Sequence, residues 1–131
     1  MAETIAICSR GTRTAIASSL YTGIMLKGQG VDIAVFFTQE AVVPFLERKF
    51  DRPPLLEKYA ETIDKNREKT GLTSDVMEML KMAKGAGVPV YICGIWADLL
   101  DARDKLPEEM EVIEMNDGAK LLAEAQRHIG A

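Results

Sequence analysis

The amino-acid sequence predicts a three-layer α/β/α domain with an open, mostly parallel sheet of four to five strands. Three short apolar segments indicate this fold, and each is followed by a stretch whose apolar residues have helical spacing. The segments are rich in β-branched residues without polar alternation, as expected of strands that helices cover on both faces. A length of 131 residues suits one domain, so we expect residues 1–131 to form a single unit.

The first half of the chain predicts two strands and two helices. The strands are expected over Thr4–Cys8 and Val31–Thr38, and the helix between them runs from Thr12 to Lys27. Its apolar stripe consists of Ile16, Leu20 and Ile24. Glycines at 28 and 30 end this helix, and a second helix is expected over Glu40–Lys49.

The second half continues the same alternation. Asp75 and Glu78 have the spacing of a helix cap, and the helix they begin ends at Gly85 or Gly87. A third strand is expected over Val88–Cys93 and a short fourth one near Glu111–Met115. The last predicted helix carries Leu121, Leu122, Ala125 and Ile129, with His128 in its final turn.

Residues 50–73 interrupt this pattern. Pro53 and Pro54 begin a segment with a few apolar residues at helical spacing, which then becomes polar on all sides in "DKNREKTG". The composition predicts a solvent-facing helical insert. It could serve as a lid or a subunit contact, or be a surface helix with no further role.

The overall composition excludes several classes of function. A net charge of −4 argues against nonspecific nucleic-acid binding, which needs a basic surface. No apolar run reaches the roughly 20 residues of a membrane span, and the N-terminal residues lack a signal pattern, so we expect a cytoplasmic protein that does not bind membranes. With two cysteines and no CxxC pair, we expect free thiols, no metal and no cofactor.

Both cysteines fall where an open sheet binds its ligands. In such folds the ligand lies beyond the carboxyl ends of the strands, where successive connections leave toward opposite faces. Cys8 ends the first predicted strand and Cys93 the third. We therefore consider each thiol as a possible functional group.

The loop after the first strand, "CSRGTRT", resembles a phosphatase loop, but only four residues separate Cys8 from Arg13 where that loop needs five. A buried core thiol is the better interpretation of Cys8. The residues that follow it place two guanidinium groups and backbone N–H groups at a helix start, which favours anions. This candidate anion site consists of Arg10, Gly11, Thr12 and Arg13. Two exposed arginines on a turn remain an equal alternative.

Cys93 has a different setting, because Gly94 and a helix-compatible segment follow it directly. A thiol at a helix start faces unpaired N–H donors, which favour the thiolate form. The chain offers no evident histidine base, so the chemistry left is that of a thiol that takes up and passes on a good leaving group, such as a sulfane sulfur or a thiosulfonate. Gly94, Ile95 and Trp96 would supply the N–H groups that hold it, with Arg10 or Arg13 neutralising its charge. An ordinary packed thiol remains possible, and Trp96 could cover the thiol, contact a partner or belong to the core.

Three stretches of the chain resemble the DsrE/DsrF-like family of small α/β sulfur-relay proteins, in its DsrE-like sulfurtransferase branch. They are "IAICSRGTRTAIASSLYTGIMLKGQGVDIAVFFT" at 5–38, "GVPVYICGIWADLLD" at 87–101 and "MEVIEMNDGAKLLAEA" at 110–125. Only Cys93 matches the family's sulfur-carrying cysteine. Many members have a C-x-M-S/T sequence there, whereas Gly94, Ile95 and Trp96 follow it in this chain.

The resemblance implies a doubly wound parallel sheet and a homo-oligomer of three or six copies. It also implies that Cys93 carries a persulfide or thiosulfonate and exchanges it with a TusA-type carrier protein, with small sulfur anions as further partners. We therefore expect a sulfur-transfer protein. The alternative from another class is a non-catalytic module that binds a small anion or a nucleotide in the same cleft.

Overall fold

The structure, a computed structural model, describes residues 2–130 and confirms the predicted three-layer α/β architecture. The strands within this range are β1 (Thr4–Cys8), β2 (Ile33–Phe37), β3 (Val90–Cys93), β4 (Glu111–Ile113) and β5 (Arg127–Gly130). The α-helices within it are α1 (Arg13–Gly28), α2 (Val42–Glu47), α3 (Ala60–Thr70), α4 (Val76–Gly85), α5 (Gly94–Leu99) and α6 (Met115–Glu124). Short 3-10 helices lie at Gln39–Ala41, Pro54–Tyr59 and Arg103–Lys105.

The five strands form one sheet in the order β4-β3-β2-β1-β5, and every neighbouring pair is parallel. The chain advances one strand at a time from β1 to β4 and then returns across the whole sheet to β5. In register, Cys8 lies beside Phe37, and Phe37 lies beside Ile92. The end of β1 is thus level with the end of β3, with β2 between them.

The two faces of the sheet are covered unequally. On one face, helices α1, α2, α4 and α5 enclose the main core, in which the tilted rings of Phe37 and Phe45 pack with centroids 4.9 Å apart. On the other face, Leu121 of α6 packs on Ile5 and Phe36 in a smaller cluster. Each fully buried side chain of this size contributes roughly 1.5–3 kcal/mol to stability. The main core therefore supplies most of the stabilisation of the fold.

Side-chain caps fix where the two long core helices begin. The Thr12 hydroxyl accepts a hydrogen bond from the Ala15 N–H at the start of α1. The Asp75 carboxylate accepts from the N–H groups of Met77 and Glu78 at the start of α4, which confirms the cap predicted there. These bonds satisfy donors that have no partner within the helix.

The end of the chain differs from the prediction. The last helix was expected to include Ala125 and Ile129, but α6 ends at Glu124, and His128 lies in strand β5. The N–H groups of Gln126 and Arg127 donate to the carbonyl oxygen of Glu3, at 2.8 and 3.2 Å. The prediction was wrong because pairing with the free edge of β1 gives these residues more hydrogen bonds than another helical turn could.

The predicted insert is helical, and its role as a lid or a subunit contact stays a prediction. It consists of the 3-10 helix Pro54–Tyr59 followed by α3, and none of the residues of either is fully buried. Smaller differences concern element ends: strands predicted to begin at 31 and 88 begin at Ile33 and Val90, and the second helix is divided into a 3-10 turn and α2. No helix among the described residues is both long and apolar enough to cross a membrane.

Candidate functional site

Cys93 lies at the point where the chain leaves neighbouring strands toward opposite faces of the sheet. It is the last residue of β3, and α5 leaves β3 on the side of the main core, where Ala97 is buried. Helix α6 leaves β4 on the other side, where Leu121 is buried. A crevice at such a switch point is where open α/β sheets bind ligands. The structure therefore places this cysteine at the position that the fold favours for a site.

The thiol of Cys93 is free and partly exposed. It packs in the smaller cluster, whose members on neighbouring strand positions include Phe36, Tyr91 and Ile113. Although Cys93 is the cap residue of α5, its side chain makes no capping hydrogen bond. Burial, with a smaller effect from Glu111, raises the pKa of Tyr91, so its hydroxyl stays protonated at neutral pH. The surroundings of the thiol are thus apolar on the sheet and open at the edge.

Gly94 is required by the close approach of β3 and β4. A Cβ atom at this position would lie 2.8 Å from the carbonyl oxygen of Ile113 and 3.5 Å from Nη2 of Arg103. Real side chains do not approach a backbone oxygen so closely, and that oxygen cannot rotate away. Glycine at this position therefore lets the end of β4 and the Arg103 side chain lie close to the backbone of the residue that follows Cys93.

Arg103 is a charged residue at this crevice that the sequence analysis did not single out. Its guanidinium donates to both carboxylate oxygens of Asp98, at 2.8 and 3.0 Å, and to Oε1 of Glu114 at 2.6 Å. The hydrogen bond from Arg103 lowers the pKa of Asp98. The arginine thereby joins α5 to the start of α6. Its partners lie 5 and 11 residues away in sequence, so no local motif marks it.

An acidic cleft of about 410 Å³ lies beside this site, on the α6 side of the sheet. Its lining consists of Tyr91, Glu111, Val112, Ile113, Glu114, Asp117, Lys120, Leu121 and Glu124. Carboxylates outnumber ammonium groups there by four to one. Within residues 2–130, no three His, Cys, Asp or Glu side chains lie close enough together to hold a metal ion.

Hydrogen bonds hold the loop after β1 in place. The Cys8 thiol is buried and donates to the carbonyl oxygen of Arg10 at 3.4 Å, and burial raises its pKa, which keeps it in the thiol form. The Gly11 N–H donates to the Glu40 carboxylate at 3.2 Å. A cleft of about 430 Å³ adjoins Gly11 and Thr12, but Glu40, Glu47 and Asp51 also line it, so its charge disfavours an anion.

The structure does not bring the predicted arginines to Cys93. Arg10 is exposed near Cys8, two strand spacings or roughly 10 Å from the end of β3. The Arg13 side chain is directed toward Phe50, and its Nε donates to the carbonyl oxygen of that residue at 3.0 Å.

The residues after Cys93 divide between the two sides of the sheet. Trp96 packs against the main core, on the face opposite the Cys93 cluster, so it does not cover the thiol. Gly94 adjoins the thiol directly, and the Ile95 side chain is 44% exposed in the first turn of α5. Of these three predicted residues, Gly94 is the one whose contacts place it beside Cys93 and the end of β4.

Fold and site together define a small α/β protein with an open parallel sheet and a partly exposed cysteine at its switch point. A sequence profile of the DsrE/DsrF-like family matches residues 4–130, and the chain belongs to this family.

Two solved structures share the fold over nearly their whole length. The crystal structure of the YchN protein from E. coli is similar with a TM-score of 0.69 and 18% identity, covering 100% of both chains. BT1422, a conserved protein of unknown function from Bacteroides thetaiotaomicron, has a TM-score of 0.66 and 8% identity, covering 98% of this chain and 95% of its own. At these identities the likeness concerns the fold alone. No curated protein matches the chain in sequence.

Proposed function

We propose that this chain is an intracellular sulfur-transfer protein, which carries a persulfide or thiosulfonate on Cys93. Membership of the DsrE/DsrF-like family relates the chain to sulfur relay. The observation that supports Cys93 as the sulfur-carrying residue is its partly exposed thiol at the switch point of the sheet. The Cys8 thiol, by contrast, is fully buried.

The proposed loading step is a displacement at sulfur. The Cys93 thiolate attacks the outer sulfur of a protein-borne persulfide, forms a new S–S bond and releases the donor cysteine as a thiolate. With tetrathionate, the same attack forms a thiosulfonate on Cys93 and releases thiosulfate. Both reactions are balanced without an external oxidant, because the electrons of the broken S–S bond leave with the departing thiolate or thiosulfate.

Arg103 is the positive group that we propose beside the loaded cysteine. Its Nη2 atom lies 3.5 Å from the Cβ position of Gly94, whereas Arg10 and Arg13 point elsewhere. Asp98 and Glu114 hold the guanidinium in a fixed position near the end of β3.

The acidic cleft supports a protein partner for the transfer. Four carboxylates line it, which disfavours a free anion approaching from that side and attracts a basic surface. We propose that a TusA-type carrier with basic residues around its own cysteine docks there. Small sulfur anions would then reach Cys93 from the side of Arg103.

We also propose that the protein acts as a homo-oligomer of three or six copies. Large apolar side chains near the crevice support this, since Leu99 is 66% and Met115 is 63% exposed in the single chain. Light scattering on the purified protein would measure the copy number.

Mass spectrometry after incubation with tetrathionate or polysulfide tests the central proposal. We expect one added sulfur group on Cys93, its loss in Cys93→Ser, and unchanged loading in Cys8→Ser as the matched control. Loading that persists in Cys93→Ser would refute the assignment. If wild-type protein takes up no sulfur from either reagent, the alternative of a non-catalytic binding module is favoured instead.

A further inference from the structure

A small, partly open cavity lies between helix α1 and the helical insert, away from Cys93. Its volume is about 90 Å³, and its lining consists of Arg13, Thr14, Ala17, Arg52, Leu56, Ile63 and Arg67. Three of these seven residues are arginines. Since a cavity of 10–15 Å³ already accommodates one water molecule, this space holds several water molecules or one small ion.

The three arginines reach the cavity from separate parts of the chain, and two of them are held by contacts. Arg13, at the first turn of α1, donates from Nε to the Phe50 carbonyl oxygen at 3.0 Å. Arg52 lies in the insert just before its first helix and pairs with Asp64 of α3, with its side chain only 19% exposed. Arg67 lies one helical turn further along α3 and is partly buried.

The charges around the cavity are not balanced. Within residues 2–130, neither Arg13 nor Arg67 has a carboxylate within 4.0 Å, and Asp64 compensates Arg52 alone. Like charges that share a confined space repel one another and lose part of their hydration. An anion in the cavity would remove this cost, and guanidinium groups are the side chains best suited to bind oxyanions in two-point contacts.

We propose that this cavity is a binding site for a small tetrahedral dianion of the phosphate, sulfate or thiosulfate type. The volume favours an ion of this size, because nucleotide-sized ligands occupy pockets of about 300 Å³ or more. The bound ion connects α1 to α3 and thereby fastens the insert to the body of the protein. The site is independent of sulfur loading, because Cys93 lies on the other face of the sheet.

Calorimetric titration of the purified protein with sodium phosphate, sulfate and thiosulfate tests the site, with sodium chloride at matched ionic strength as the reference. We expect saturable binding of at least one dianion that chloride does not reproduce. Losing one charge-assisted hydrogen bond weakens binding about tenfold or more, so Arg67→Gln and Arg13→Gln should each do so. Arg10→Gln is the matched control, since Arg10 lies on the adjacent loop and does not line the cavity.

The order of the three affinities identifies which dianion the site prefers. Absence of saturable binding, an equal response to chloride, or an equal loss in Arg10→Gln would overturn the proposal. If the variants do not fold, NMR of the wild-type protein decides. Titration with phosphate, sulfate or thiosulfate must shift the Nε–H signals of Arg13 and Arg67 but not that of Arg10, and the opposite pattern would refute the site.

Discussion

Replacing Gly94 by alanine tests whether the ends of β3 and β4 are packed as closely as the structure shows. The added Cβ would lie 2.8 Å from the Ile113 carbonyl oxygen, well inside van der Waals contact. It would also lie 3.4 Å from the Glu114 carboxylate and 3.5 Å from the Arg103 guanidinium. The substitution therefore pushes on a backbone group and on the ion-pair cluster at once.

Two opposing effects determine the size of the change. Alanine has a higher helix propensity than glycine, worth up to about 1 kcal/mol within a helix and less in its first turn. Forcing an extra carbon into a tightly packed site costs about 1–3 kcal/mol. Because the obstructing atom belongs to the backbone, the packing cost dominates, and we expect a net destabilisation of about 1–2 kcal/mol.

Urea denaturation measures this difference, with Gly118→Ala as the matched control. At Gly118, in α6, the added Cβ would lie 3.9 Å from the Ile113 side chain, an ordinary contact, so helix propensity should raise stability by about 0.5–1 kcal/mol. With a slope of about 2 kcal/mol/M, the midpoint for Gly94→Ala should fall by about 0.5–1 M. If Gly94→Ala proves as stable as the wild type, β4 does not approach Cys93 as described.

Three further predictions concern a cap, a carboxyl group and the two thiols. Asp75→Ala should lower the free energy of unfolding by about 1 kcal/mol, as measured by urea denaturation. Asp75→Asn should lower it much less, because asparagine also caps helices. Equal losses in the two variants would argue against the cap. The lowered pKa of Asp98 means that its pairing with Arg103 stabilises the fold above the ordinary carboxyl pKa, and this contribution is lost as the pH falls through the folded value. NMR should show Asp98 titrating below the ordinary range and returning toward it in Arg103→Gln, and an unchanged midpoint would contradict the pairing. Iodoacetamide should modify Cys93 in the native protein and Cys8 only after unfolding, since burial shields the Cys8 thiol and raises its pKa. Rapid labelling of Cys8 in the native protein would disprove its burial.

Local sequence signals predicted most of the sheet and its main helices. The strands ending at Cys8 and Cys93 were recognisable because buried parallel strands are continuously apolar. The start of α4 was recognisable because capping depends on Asp75 and on the N–H groups of Met77 and Glu78, two and three residues later. In each case the residues that determine the element lie within a few positions of one another.

The parts that were missed depend on contacts between distant residues. Ala125 and Ile129 keep the helical spacing, but the open edge of β1 draws the last residues into a strand, with Arg127 paired to Glu3 across the whole chain. Arg103, the charged group near Gly94, could not be found for the same reason. Only the strand order shows that β2 separates the Arg10 loop from Cys93. It likewise shows that Arg103 lies on the side of β3 where β4 is found.

The placement of the two thiols on opposite faces of the sheet determines how the protein can respond to oxidants. A disulfide needs Cα atoms about 4.4–6.8 Å apart and side chains that converge. Cys8 and Cys93 end strands that β2 separates, and they pack in different clusters. An oxidised molecule therefore cannot crosslink to itself in the folded state. Any disulfide it forms joins Cys93 to another molecule, so a non-reducing gel would reveal which partners reach this edge.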